Sequence, residues 1–189
     1  MKNSEKIRHV GGILALAVAL AACGGGINPP GTTTTFSADL SGTVNKGIVK
    51  HGLITATELD VNGHPRAELG NAVTADNGSY TLTIADVYQG GPIELTLELD
   101  ETSQMKCDAP AGCGVRDATD GITDTTPATI DFGEWYKPTS LIMTALVAEA
   151  HSGDTIRASI TPFTHMAAVR AKASGTLNAS TVFSTNSEV

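Results

Sequence analysis

Thr74-Ala75-Asp76-Asn77-Gly78-Ser79-Tyr80-Thr81-Leu82-Thr83-Ile84 holds a tight turn followed at once by a strand. Asp76-Asn77 are turn residues, and Gly78 carries no Cβ to oppose a positive φ. From Ser79 the chain alternates strictly. Tyr80, Leu82 and Ile84 fall on one face, and Ser79, Thr81 and Thr83 on the other. A period of two is the repeat of an extended chain with one face in a core and one in water. Tyr80 is therefore expected to enter the core of the strand that the turn begins.

The same rhythm recurs on either side. In residues 92–100, Ile93, Leu95, Leu97 and Leu99 alternate with Glu94, Thr96, Glu98 and Asp100. In residues 155–161, Ile156, Ala158 and Ile160 alternate with Thr155, Arg157, Ser159 and Thr161. Each reads as a half-buried strand of an antiparallel sheet. Residues 141–149 are apolar without a clean period. The turn residues His151-Ser152-Gly153-Asp154 follow them, which favours a strand buried on both faces and joined to the next by a hairpin. At Thr161-Pro162 the pattern becomes helical: Thr161 is placed to cap, Pro162 suits the first turn, and Gly175 is a natural stop. Phe163, Met166, Ala167, Arg170 and Ala173 supply a stripe at helical spacing. A second helix is expected near Ser180, with the sequon-like Asn178-Ala179-Ser180 as its start. The sequence ends at Val189 without a helix stop, so the native chain is expected to continue beyond this helical extension, residues 162–189.

Further short elements precede the opening stretch: Gly42-Thr43-Val44, Gly47-Ile48-Val49, Ile54-Thr55-Ala56 and Asn62-Gly63. Taken with residues 74–82, they resemble the carboxypeptidase regulatory-like domain, a small prealbumin (transthyretin-like) β-sandwich. The similar core covers residues 40–99. The resemblance implies a mainly β protein, with an antiparallel β-sandwich over residues 38–161 and a short helical segment after it. It implies no activity, because such domains accompany peptidases, transporters and adhesins alike. Ile160-Thr161-Pro162-Phe163-Thr164-His165-Met166-Ala167-Ala168 is similar to a segment that follows such sandwiches in some bacterial surface lipoproteins.

The N-terminus tells where such a protein goes. Lys2, Lys6 and Arg8 form a positive head with only Glu5 against it, and residues 10–22 are Gly, Ala, Ile, Leu and Val throughout. That run is too short to span a bilayer and suits a signal peptide, residues 1–22. It ends in Leu20-Ala21-Ala22-Cys23-Gly24, which resembles the lipobox of bacterial lipoproteins. By that resemblance Cys23 is lipidated on sulfur and, after cleavage, on its new amine, and more than one acyl chain is what stable anchoring needs. Gly24, where Asp would favour retention in the inner membrane, implies the outer membrane. Residues 23–37, with Gly24-Gly25-Gly26, Pro29-Pro30 and a run of threonines, read as the lipidated cysteine and a flexible tether.

Beyond the signal, nine basic residues stand against 19 acidic ones, a net charge of −10. That balance argues against nucleic acid and anionic head groups as partners. Cys107 and Cys113 flank a turn-rich loop in an exported chain and are expected to form a disulfide. Asp117, Asp120 and Asp124 lie close together with Gly121 among them, a weak calcium candidate whose spacing does not match an EF-hand loop. His51, His64, His151 and His165 are far apart in the sequence, show no ligand-pair spacing and are expected to be solvated. No nucleophile elbow, P-loop or dinucleotide fingerprint occurs. The sequence therefore predicts a non-catalytic structural or interaction module without a cofactor, partnered by the membrane through Cys23 and by an envelope protein or glycan. It leaves open a ligand- or calcium-binding module using the loops between Cys107 and Asp131, and the accessory domain of an enzyme continuing past residue 189.

Overall fold

The turn at Asp76-Asn77-Gly78 forms as its chemistry dictates. Gly78 has φ 77°, its N–H donates to Ala75 O at 2.8 Å, and the Asn77 side chain accepts from Ser79 N–H at 3.0 Å. The strand that follows buries Tyr80, Leu82 and Ile84 and exposes Thr81 and Thr83. The computed structural model describes residues 35–115, 129–138 and 140–187. These form β1 (Ala38–Thr43), β2 (Val49–Lys50), β3 (Leu53–Leu59), β4 (Pro65–Val73), β5 (Ser79–Ile84), β6 (Ile93–Glu98), β7 (Gln104–Lys106), β8 (Trp135–Tyr136), β9 (Met143–Val147), β10 (Thr155–Arg157), α1 (Pro162–Ala173) and α2 (Ala179–Ser187).

The fold is mainly β and consistent with a β-sandwich. A four-stranded antiparallel sheet runs β4-β3-β6-β9, and a three-stranded one runs β10-β1-β5. Leu40, Tyr80, Leu82 and Ile84 of the smaller sheet share one core with Ile54, Ala56, Ile93, Leu95, Leu97, Met143 and Ala145 of the larger. Each fully buried Leu or Ile there contributes about 2 kcal/mol through the apolar surface it removes from water. A third sheet, β2-β7-β8, lies at one end. The last part of the expected tether joins the folded part: Phe36 packs on Tyr88 with ring centroids 5.1 Å apart.

Four expectations need correction. The sandwich is not wholly antiparallel, because β10 pairs with β1 in parallel, Leu40 opposite Ile156. The 151–154 turn makes no hairpin: it carries the chain from β9 in one sheet to β10 in the other. All five residues of β9 are nonetheless buried, as a strand covered on both faces requires. β6 does not expose its whole outer face, because Glu94 is buried there, its Oε1 2.6 Å from Lys172 Nζ of α1, while Glu98 at the far end stays exposed. The helical stripe also holds only at Ala167. Ala167, Ala168 and Ala171 are buried, whereas Phe163 and Met166 stand in solvent. Small side chains let α1 lie close on the sheet, and Ala168 and Ala171 form a second core with Leu59, Leu146, Leu177 and Val182.

Helix boundaries follow local chemistry. Thr161 caps α1, Pro162 opens it, and Thr164 completes a capping box. Asn178 caps α2, its side chain accepting from Thr181 N–H at 3.0 Å. No described helix is long and apolar enough to cross a membrane.

Candidate functional site

β2, β7 and β8 present two unlike faces because side chains alternate along each strand. Val49 and Met105 are buried in the main core, with Tyr136 packed against it. On the opposite face Lys106 pairs across the ladder with Trp135, and Lys50 Nζ sits 4.3 Å from the Trp135 ring centroid, a cation–π contact. Beside this face opens a cleft of about 460 Å³, lined by Asn45, Gly47, Ile48, Lys106, Cys107, Asp108, Phe132 and Gly133.

The disulfide between Cys107 and Cys113 shapes this cleft, with Cα atoms 5.7 Å apart. Cys107 is buried and both flanks are tied down by backbone bonds: Cys107 N–H donates to Glu134 O, and Cys113 N–H to Ile130 O, each at 2.8 Å. The next residue, Asp108, accepts from Gly47 N–H at 2.9 Å. Only glycine fits at 47, where φ is 64° and a Cβ would meet Lys106 O at 2.1 Å. Burial and the Asp108 charge push the Tyr136 phenol above its ordinary value. Phe132 is 64% exposed. The cleft thus joins an apolar wall (Ile48, Phe132) to an ammonium and a carboxylate, an arrangement suited to holding a ligand of mixed polarity.

Cys107 and Asp131 were the sequence-level markers of this region. Gly47 and Ile48 read in sequence only as part of a strand, and Lys106 and Phe132 carry no local signal, since three chain segments meet only in the folded state. Asp117, Asp120 and Asp124, like Cys23, lie outside the described residues. Among the described residues no group of three His, Cys, Asp or Glu is placed to hold a metal ion.

The histidines are scattered, and three of them are solvent-facing: His51 Nε2 lies 3.2 Å from Asp76, His64 Nδ1 3.4 Å from Asp60, and His151 Nδ1 3.3 Å from Asp154. Ser103, His51 and Asp100 meet at one corner, but Ser103 bonds the His51 carbonyl and not its ring. That geometry activates no nucleophile. His165 is the correction. It is partly buried, and its Nδ1 accepts from Thr144 N–H at 3.2 Å and lies 3.0 Å from Thr144 Oγ1. Thr164 Oγ1 lies 3.3 Å from Thr144 O, and Asn186 Nδ2 donates to Leu146 O at 3.1 Å. The Thr161–Ala168 motif is thus a structural device that satisfies the free edge of β9.

A scan against protein-family models finds no match for the chain, and a search of curated proteins finds no relative.

Proposed function

We propose that this chain is a lipid-anchored, non-catalytic interaction module of the bacterial cell envelope, held at the outer membrane through Cys23. The observation that carries the reading is Leu20-Ala21-Ala22-Cys23-Gly24 at the end of an apolar run, followed by a tether that delivers a disulfide-bearing β fold. A lipidated cysteine places its protein at a membrane surface, and a disulfide persists in the oxidising space outside the inner membrane. The prealbumin-like character of the sandwich belongs to the same proposal.

Intact mass of the protein extracted from its native membrane tests it. The expected chain begins at Cys23, carries acyl mass and gains about two hydrogens on reduction. Cys23→Ala is expected to release the protein from the membrane fraction. An unmodified Cys23 sinks the anchor. Hydrolysis of a peptide or glycan by the purified protein, abolished by one side-chain change, sinks the non-catalytic role.

The disulfide-edged cleft favours a second reading, a module that binds a peptide or glycan ligand there. Calorimetry against a panel of cell-wall fragments is expected to give binding that Phe132→Ala weakens about tenfold. Flat traces across the panel would remove this reading.

A further inference from the structure

The two sheets end on one side in edge strands of different kinds. The edge of β9 is largely covered, because the outward Thr144 N–H bonds His165, Thr144 O accepts from Thr164 and Leu146 O accepts from Asn186. Among the described residues the edge of β10 is open. Ala158 N–H donates to Ser41 O at 2.8 Å, Ile160 N–H donates to Thr43 O at 2.9 Å, and Asp154 O accepts from Asp39 N–H at 2.9 Å. The even-numbered residues therefore turn toward β1. Peptide groups alternate sides along an extended chain, so those of Thr155, Arg157 and Ser159 turn away. Among the described residues nothing bonds to them.

Beside this edge runs a groove of about 330 Å³ between the strands, with Ile156, Val182 and Phe183 among its lining. Phe183 is 74% exposed. Among the described residues no Asp or Glu lines the groove, and Arg157 is its one charged residue. Arg157 has no ion-pair partner among the described residues. The setting sharpens this: the chain carries 20 acidic against 12 basic residues, yet the stretch 155–187 contains no acid at all. Open main-chain groups with apolar pockets beside them are what strand addition uses, and the unmatched guanidinium sets the charge of the incoming segment. A second copy of this chain fits poorly. Antiparallel pairing of two β10 strands about Arg157 places like charges opposite one another, which is destabilising.

We propose that the outer edge of β10 takes up an extended peptide of a partner protein as an added strand, with a peptide carboxylate on Arg157 and an apolar side chain in the groove by Ile156 and Phe183.

Full-length protein in detergent, labelled with nitrogen-15, is titrated with capped hexapeptides alternating valine with aspartate, serine or lysine. The aspartate peptide is expected to shift the Arg157 and Ser159 amide signals and to slow their hydrogen exchange at least about tenfold, as ladder bonds do. It should bind about tenfold more tightly than the lysine peptide. Arg157→Gln should remove that preference. Ser159→Pro deletes an outward N–H while leaving the backbone bonds to β1, as proline on an edge strand permits. It also removes the long, exposed contact of the Ser159 and Thr43 hydroxyls at 3.4 Å. Ser159→Ala is therefore the control that should bind normally, and the proline variant should abolish binding at the melting temperature of that control. Should that variant unfold, a probe methylated on its edge-facing amides supplies the same test and should not bind. Absence of protection with every peptide overturns the proposal, and so does equal binding by the Ser159→Pro protein or by the methylated probe. Protection that appears on concentrating the protein alone overturns it in favour of a second copy.

Discussion

Tyr80 shows how one side chain can tie the two outer strands of a sheet together across the central one. Its ring lies in the sandwich core, its hydroxyl donates to the carbonyl of Ala158 beyond β10, and burial raises the phenol above its ordinary value. Tyr80→Phe keeps the ring and leaves that carbonyl unpaired. The expected loss is about 1 kcal/mol, read as a lower urea midpoint with an unchanged slope. Asp100 works at the surface. Its Oδ1 accepts from Thr102 N–H at 2.7 Å, Thr102 Oγ1 at 2.8 Å and Ser103 N–H at 3.0 Å. These bonds, the Thr102 hydroxyl first, hold its carboxyl below 3.8. A depressed carboxyl stabilises the fold above its unfolded value, and that stability is lost as pH falls through the folded one. The urea midpoint should therefore drop as pH falls below about 4, and Asp100→Asn should flatten the drop.

At the scale of elements, the decisive object is the free edge of β9. A buried strand with unsatisfied peptide groups is costly, and α1 meets the need with side chains from its first turn. His165→Ala should cost about 1–2 kcal/mol by orphaning the Thr144 N–H, and exchange of that amide should quicken. His165→Gln, which keeps an acceptor, should recover part of the loss. If Thr144 exchanges no faster in the alanine variant, the edge is not closed in this way. The same first turn contains the Thr161–Thr164 capping box, so the five residues Thr161 to His165 both start a helix and cover the edge of a strand. This explains the motif without any chemistry of catalysis.

Across the whole molecule, the Cys107–Cys113 bond fixes one wall of the cleft and a loop of sequence separation 6. Closing so short a loop limits the unfolded chain only modestly, so reduction should lower stability by about 2 kcal/mol. Far-UV circular dichroism should stay unchanged, since the strands around the cleft are held by backbone bonds of their own. A loss of the whole β signal on reduction would contradict this picture. The helical layer is a second whole-molecule feature. Its alanine face, the Lys172–Glu94 contact and the Asn186 bond to Leu146 O fasten it to the four-stranded sheet.

Much of this was legible in the residues because it rests on neighbours in the chain. Period-two alternation placed Tyr80, Leu82, Ile84, Ile93, Leu95 and Leu97 toward a core. Turn chemistry placed Gly78, and capping chemistry placed Thr161, Pro162 and the start of α2 at Asn178. Such signals depend on backbone torsions and on bonds spanning a few residues. What the tertiary structure alone decided depends on residues far apart in sequence. The parallel pairing of β10 with β1 joins the two ends of the fold. The burial of Glu94 waits on Lys172, and the cleft exists only where residues 45–48, 106–108 and 132–133 converge. The outward turn of Phe163 and Met166 had no local cue, because two helix faces competed. Close approach of the alanine face to the sheet settled it.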